Sequence, residues 1–156
     1  MLSQPTITEE LLHIAVELDR CLSSNYNIIY KLHPAERLNQ SHYELLRQAT
    51  KISIVRDCDL YDLIGSCDAV VGGYSTALFE AIAFMKPVFA LGIPIARRYL
   101  PRNWVSFFTS ASELANMIRG RQYQMDVPNI EAVWASGWRT NLAKFLRMIG
   151  VNSCIP

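Results

Sequence analysis

The sequence alternates short, β-rich apolar runs with stretches of helical periodicity, and this alternation limits its possible folds more than any other feature. The β-rich runs cover residues 27–32, 51–55, 69–71, 87–91 and 104–108, and the helical patterns cover residues 8–22, 41–49, 60–67, 76–85 and 110–119. Strands joined by single helices form right-handed βαβ crossovers and a parallel sheet. Because the runs are almost continuously apolar, helices are expected on both faces. The pattern predicts a doubly wound α/β domain with a parallel sheet.

The two ends of the chain add to this prediction. Residues 1–3 resemble the end of a further strand, and a last helical pattern spans residues 129–149, with an expected kink at Gly137. A length of 156 residues suits one domain, and a hydrophobic content of 51% is enough for a buried core. We therefore expect a single domain over residues 1–156, without a linker or an internal repeat.

Charge and hydropathy argue against several functional classes. The formal net charge is only +1, whereas nucleic-acid binders usually carry a basic patch. No signal peptide is recognisable, and no apolar run reaches the ~20 residues of a membrane-spanning helix. The four cysteines lack the spacing of a metal site (Cys21, Cys58, Cys67 and Cys154). We expect a cytoplasmic chain with reduced thiols.

The first candidate site is the glycine turn, residues 72–76, where a predicted strand ends and a helix begins. Gly72 and Gly73 let the chain turn sharply and let a ligand approach the backbone. Free amides at a helix start attract phosphate, and the hydroxyls of Ser75 and Thr76 can add donors. The same hydroxyls suit a helix N-cap. One can therefore cap the helix while the other contacts a ligand.

Glu80 extends this candidate site. It is the only charged residue between Asp68 and Lys86, in an otherwise apolar helical stretch. Charges seldom occur in such stretches unless they are paired or functional. A carboxylate one turn past a phosphate site can accept hydrogen bonds from ribose hydroxyls. Its alternative role is that of an acid placed favourably near a helix N-terminus.

The second candidate site is the segment Lys31-Leu32-His33-Pro34, where Pro34 must end the preceding strand. An imidazole at this place can donate a hydrogen bond to phosphate in either protonation state. A cationic donor would also stabilise the negative charge that builds on a departing nucleotide. A loop histidine without a role is the alternative. A functional role for His33 is favoured because the predicted topology places it in the same cleft as Ser75.

Together these residues resemble a known family. The segment KLHPAE, followed later by LYDLIGSCDAVVGGYSTALFEAIAFMKPVFALG, is similar to the C-terminal domain of GT-B-fold glycosyltransferases, a Rossmann-like half of that fold. It resembles in particular bacterial capsule and lipopolysaccharide enzymes. Their sialyltransferases, polysialyltransferases and Kdo transferases bind CMP with an HP motif and a later Ser-Ser or Ser-Thr motif. The resemblance covers residues 3–91.

The resemblance implies roles for individual residues. His33 would act in catalysis, Glu80 would lie near the ribose, and Gln4 would face the cleft. The remaining donor-binding residues would be Lys31, Gly73, Tyr74, Ser75 and Thr76, together with His33 itself. The donor would be a CMP-, CDP- or UDP-linked sugar. No cofactor and no metal are expected, because the helix start and His33 would supply the positive field at the phosphates.

The resemblance also has consequences for the whole protein. GT-B enzymes bind the acceptor mainly in an N-terminal domain, for which this chain has no room. We therefore expect a fragment of a larger enzyme that transfers a sugar to a cell-surface polysaccharide and is peripheral to the inner membrane. The final helix, with Trp134 and Trp138 four residues apart, would pack against the missing half or contribute to the core.

Three alternatives remain open on sequence grounds. Glycerophosphotransferases that use CDP-glycerol are similar at both motifs. A sugar-nucleotide epimerase would need acid and base carboxylates, for which Asp57 and Asp59 are the only nearby candidates, and Asp59 also suits a helix N-cap. The third alternative is a stand-alone domain that binds a nucleotide and catalyses no reaction.

Overall fold

The structure, a computed structural model, describes residues 1–22, 25–125, 131 and 134–150. The chain divides into two compact units, Met1–Asp126 and Val127–Pro156. In the described part of the chain, all strands belong to the first unit, and the second unit contains one α-helix. The expectation of one donor-binding domain concerns function and stays a prediction.

Strands and helices alternate along the first unit. The strands are β1 (Ile28–Lys31), β2 (Ile52–Val55), β3 (Val70–Gly72), β4 (Val88–Leu91) and β5 (Val105–Phe108). The helices are α1 (Thr8–Cys21), which follows a 3-10 turn at Pro5–Ile7, then α2 (Gln40–Leu46), α3 (Leu60–Ser66), α4 (Ala77–Ala83), α5 (Pro94–Tyr99) and α6 (Ala111–Arg119). Every strand predicted from the sequence is present within a few residues of its expected bounds. The helix α5 was not predicted.

Residues 1–3 occupy the central position of the sheet. The strand β1 pairs in parallel with β2, and β3, β4 and β5 pair in parallel in that order. Between these two groups, the amide of Leu2 donates to the carbonyl of Val71 at 2.7 Å, and the amide of Ser3 donates to the carbonyl of Lys31 at 2.9 Å. The order across the sheet is therefore β2, β1, residues 1–3, β3, β4, β5.

Helices cover both faces of this sheet. On one face, α1 packs against α2 and α6, and a shared core joins α1 and α6 to the strands (Leu18, Leu114, Val71, Phe89 and Phe108). Alternate strand residues point to the opposite face. There α4 contacts β3 and β4 and buries its own apolar residues (Leu78, Ala81 and Ile82). The prediction of a doubly wound α/β domain is confirmed.

The last helix differs from its prediction. Within the described residues it is α7 (Trp138–Met148), and Gly137 precedes it with a φ of 65°. A left-handed backbone cannot continue a right-handed helix, so Gly137 begins this helix instead of kinking a longer one. Residues 134–136 are not helical. The prediction for residues 129–130 and 132–133 lies outside the described part of the chain.

Two further observations concern cysteines and membranes. The described cysteines are free thiols, of which Cys58 is exposed and Cys21 and Cys67 are half-buried. Burial raises the pKa of the Cys67 thiol, so this thiol is a weak nucleophile at neutral pH. None of the helices in the described ranges combines the length and the apolar character that crossing a bilayer requires.

Tyr30 on β1 is fully buried between the sheet and α1. Among the described residues, its hydroxyl group has no hydrogen-bond partner. Burial, assisted by the negative charge of Glu36, raises the pKa of the Tyr30 hydroxyl. A buried polar group without a partner costs roughly 1–3 kcal/mol of stability. The ring of Tyr30 therefore stabilises the core, whereas its unpaired hydroxyl group lowers the stability of the fold.

We expect Tyr30→Phe to raise the free energy of unfolding by about 1 kcal/mol, because it removes an unsatisfied buried hydroxyl and keeps the ring. Urea unfolding followed by circular dichroism measures this change. The matched control is Tyr43→Phe on α2, where the side chain is exposed and the stability should not change. A loss of stability in Tyr30→Phe would contradict this account of the core.

Candidate functional site

The strand order creates a topological switch point between residues 1–3 and β3. The chain that leaves residues 1–3 enters α1 on one face of the sheet, whereas the chain that leaves β3 enters α4 on the other. The two connections diverge at the carboxyl edge and leave a crevice between them. In open parallel sheets, ligands bind in this crevice. Its walls are the entry loop, residues 3–8, and the glycine turn, residues 72–76.

Direct hydrogen bonds join the entry loop to the glycine turn. The backbone amide of Tyr74 donates to Oε1 of Gln4 at 3.1 Å. The hydroxyls of Thr6 and Tyr74 share a further hydrogen bond of 2.6 Å. The structure thus brings together Gln4 and Tyr74, two of the residues predicted for the site.

Gly73 allows this close approach. A Cβ atom at position 73 would lie 2.3 Å from Cδ1 of Ile7 and 3.0 Å from Oε1 of Gln4. Any side chain would therefore push the ends of Ile7 and Gln4 away from the glycine turn. The double glycine in the sequence predicts that a ligand approaches the backbone closely at this turn. In the structure, the group that comes close is the entry loop itself.

The two hydroxyl groups of the glycine turn have different surroundings. The Ser75 hydroxyl accepts a hydrogen bond from the amide of Ala77 at 3.3 Å and so caps the start of α4. Thr76 is exposed and its side chain makes no capping bond. Among the described residues, the backbone amides of Ser75 and Thr76 donate to no protein acceptor. Two amides and one hydroxyl are therefore available to an anion at this turn.

Glu80 lies on α4, one turn beyond these groups, and is half-buried. In the part of the chain that the structure describes, its carboxylate has no hydrogen-bond or ion-pair partner. A carboxylate loses hydration when it is partly buried, and it regains stability by accepting hydrogen bonds. The side chain is thus suited to accept hydroxyl donors from a ligand.

The His-Pro loop, residues 32–36, is held by a buried carboxylate that the sequence analysis missed. Glu36 is only 2% exposed. It accepts hydrogen bonds from the hydroxyl of Ser3, from the hydroxyl of Thr8 at 2.5 Å and from the amide of His33 at 3.2 Å. The amide of His33 also donates to the Ser3 hydroxyl at 2.8 Å. Through these bonds, one carboxylate fixes the His-Pro loop to the entry loop.

The only sequence signal for Glu36 is its position within KLHPAE, two residues after the strand-ending proline. A carboxylate three residues after His33 can turn back toward the backbone of that residue, as turn acids often do. The amide of Glu36 does donate to the carbonyl of His33 at 2.9 Å. The Ser3 and Thr8 partners are distant in sequence, so spacing alone could not reveal them.

The hydrogen bonding of His33 defines which ring nitrogen carries the proton. Its ring is exposed, and Nδ1 accepts a hydrogen bond from the amide of Ala35 at 3.1 Å. An accepting nitrogen carries no proton, so the neutral ring has its proton on Nε2. The geometry therefore leaves Nε2–H as a donor that the loop itself does not use.

Two further candidate residues, Lys31 and Asp59, make structural hydrogen bonds. The ammonium of Lys31 donates to the carbonyl of Arg56 at 2.6 Å and to that of Leu32 at 3.3 Å, so it ties β1 to the end of β2. A role for Lys31 at phosphate stays a prediction. Asp59 caps α3 by accepting from the amides of Tyr61 and Asp62. Among the described residues, no cluster of three or more His, Cys, Asp or Glu side chains could hold a metal ion.

Two cavities lie away from the switch point. One of about 310 Å³ lies at the amino edge of the sheet and is lined by residues such as Ile28 and Val70. The other, of about 350 Å³, lies between α2 and β2 and is lined by residues such as Tyr43 and Ile54. Neither includes a residue of the entry loop, the His-Pro loop or the glycine turn.

Comparisons with known proteins agree with the predicted fold. No protein-family model and no curated protein matches the chain. A solved structure of Anabaena Alr3699/HepE in complex with UDP and glucose is similar, with a TM-score of 0.54 and 20% sequence identity. The match covers 92% of this chain and 42% of that chain, so this chain spans less than half of its length. The similarity supports the predicted fold, the Rossmann-like half of a GT-B fold.

We expect Glu36→Gln to lower the free energy of unfolding by about 2 kcal/mol. The three donors would then bind a neutral acceptor in place of a charged one, and the side-chain NH2 group of the glutamine would lie against some of these donors. Urea unfolding measures this loss. Glu44→Gln is the matched control, since Glu44 is exposed on α2 and accepts only one side-chain bond in the described structure, from Gln40. Equal stability of Glu36→Gln and the unmodified chain would contradict the role given to this carboxylate.

Proposed function

We propose that this chain is the nucleotide-sugar donor-binding domain of a GT-B glycosyltransferase that acts in the synthesis of a cell-surface polysaccharide. The observation that carries the proposal is the crevice at the switch point, where the entry loop is hydrogen-bonded to the His-Pro loop on one side and to the glycine turn on the other. Nucleotides bind in this crevice in sheets of this topology. The HepE structure of similar fold contains UDP and glucose, which favours the same class of ligand.

The donor's phosphates would bind to the groups that have no protein acceptor. These groups are Nε2–H of His33, the exposed hydroxyl of Thr76 and the backbone amides of Ser75 and Thr76. Amides at a turn that leads into a helix form a concave anion site. Ser75 would contribute mainly by holding α4 in place, because its hydroxyl already accepts the amide of Ala77.

In this proposal, the reaction is glycosyl transfer with a nucleotide as leaving group. Negative charge builds on the phosphate oxygens as the bond to the sugar breaks. Donors that are already oriented stabilise this charge without reorganising during the reaction. His33 would be the main donor, and Glu80 would orient the nucleotide by accepting hydrogen bonds from ribose hydroxyls. The acceptor would bind to a further domain of the enzyme.

The same geometry bears on the alternatives. An epimerase requires acid and base carboxylates in the crevice. The carboxylate of Asp59 already accepts hydrogen bonds from the first amides of α3, which disfavours this role for it. A glycerophosphotransferase would use the same phosphate groups, and its donor would be CDP-glycerol. The choice between a CMP-, CDP- and UDP-linked donor depends on contacts with the base, so it must be measured.

Titration calorimetry of the chain with CMP, CDP and UDP tests the proposal. We expect saturable binding of at least one nucleotide, and we expect His33→Ala to weaken it about tenfold, the effect of losing one hydrogen bond to a charged group. His13→Ala is the matched control, because His13 is an exposed histidine on α1. A folded sample that binds none of the three nucleotides would contradict the proposal.

The same titration includes a variant of the glycine turn. Thr76→Val keeps the shape of the side chain and removes a hydroxyl that makes no capping bond. It should therefore leave the thermal stability unchanged and weaken nucleotide binding. Unchanged affinity in both Thr76→Val and His33→Ala would place any nucleotide elsewhere on the chain.

A further inference from the structure

The helix α7 carries a stripe of exposed apolar side chains. Trp138, Leu142, Phe145 and Ile149 follow one another at spacings of four, three and four residues, which places them on one face of a helix. Their exposed fractions are 58%, 40%, 56% and 56%, and that of the neighbouring Met148 is 85%. No residue of α7 is buried. Contiguous apolar surface of this kind marks an interaction site.

The cations of α7 lie beside and opposite the apolar stripe, and the guanidinium of Arg139 lies over the ring of Trp138, 5.3 Å from its centroid. Arg139, Lys144 and Arg147 lie about 90° or more from the centre of the apolar stripe, at about 100° of rotation per residue. Residues 134–150 contain these three cations and no Asp or Glu. In the described structure none of the three pairs with a carboxylate. The helix therefore presents charge of a single sign beside its apolar stripe.

We propose that α7 binds the surface of an anionic phospholipid bilayer and lies in the plane of that surface. The apolar stripe would enter the boundary between headgroups and acyl chains, and the cations would contact lipid phosphates. Trp138 suits this depth, because tryptophan prefers the membrane–water interface. The helix itself is too short and too charged to span the bilayer.

The charge pattern favours a lipid surface over a protein groove. A cationic helix that docks into a protein requires a complementary acidic patch on that partner. A bilayer with anionic lipids presents uniform negative charge along the whole helix, which matches the three cations and the lack of an acid within residues 134–150. Membrane binding of this kind involves α7 and Ile149, the residue that follows it, and does not depend on nucleotide binding at the switch point.

Sedimentation of the whole chain with vesicles tests this inference. We expect strong binding to phosphatidylcholine vesicles that contain about 30% phosphatidylglycerol, weak binding to phosphatidylcholine alone, and a loss of binding as salt rises. Neutralising Arg139, Lys144 and Arg147 together by substitution with Gln should reduce partitioning roughly a hundredfold, since each cation contributes about fivefold near an anionic surface.

The matched control neutralises Arg37, Arg47 and Arg102, three exposed cations of the first unit, and changes the net charge equally. It should bind vesicles nearly as well as the unmodified chain. Phe145→Ser should weaken binding through the apolar stripe alone, and circular dichroism verifies that every variant is folded. Equal losses in the two triple variants, or the absence of vesicle binding by the folded chain, would overturn the proposal.

Discussion

The backbone of residues 1–3 is hydrogen-bonded on both sides, to β1 through Lys31 and to β3 through Val71, and the first unit depends on these bonds. They join the pair β1–β2 and the sheet β3–β4–β5 into one parallel sheet. The connections on either side of this central segment then leave toward opposite faces. The crevice between the entry loop and the glycine turn is a direct consequence of that divergence.

The buried carboxylate of Glu36 gives this crevice a defined shape. Burying a charge is costly unless hydrogen bonds compensate for the lost water, and Glu36 receives them from Ser3, Thr8 and His33. These bonds hold two loops that would otherwise be independent of each other. Groups fixed in advance stabilise developing charge better than mobile ones, because no energy is spent on orienting them during the reaction.

Local patterns in the sequence predicted the strands and most of the helices, and the features that they missed have two causes, contacts distant in sequence and misleading local signals. Periodicity located the strands, and the double glycine located the close approach at position 73. The role of Glu36 depends on Ser3, which is 33 residues away, so local spacing could not show it. The helix α5 was missed because it has six residues and begins at a proline, which usually indicates a loop. Trp134 and Trp138 are four residues apart, a spacing typical of one helical turn. The left-handed backbone of Gly137 lies between them, so they do not share a helix.

Mapping a bound nucleotide onto the backbone amides by NMR tests the central claim most directly. The account predicts that shift changes on titration concentrate in the entry loop, the His-Pro loop and the glycine turn, with the amides of Ser75 and Thr76 among the largest. Changes centred instead on Ile28 and Val70, around the cavity at the amino edge, or on Tyr43 and Ile54, around the cavity beside β2, would contradict it.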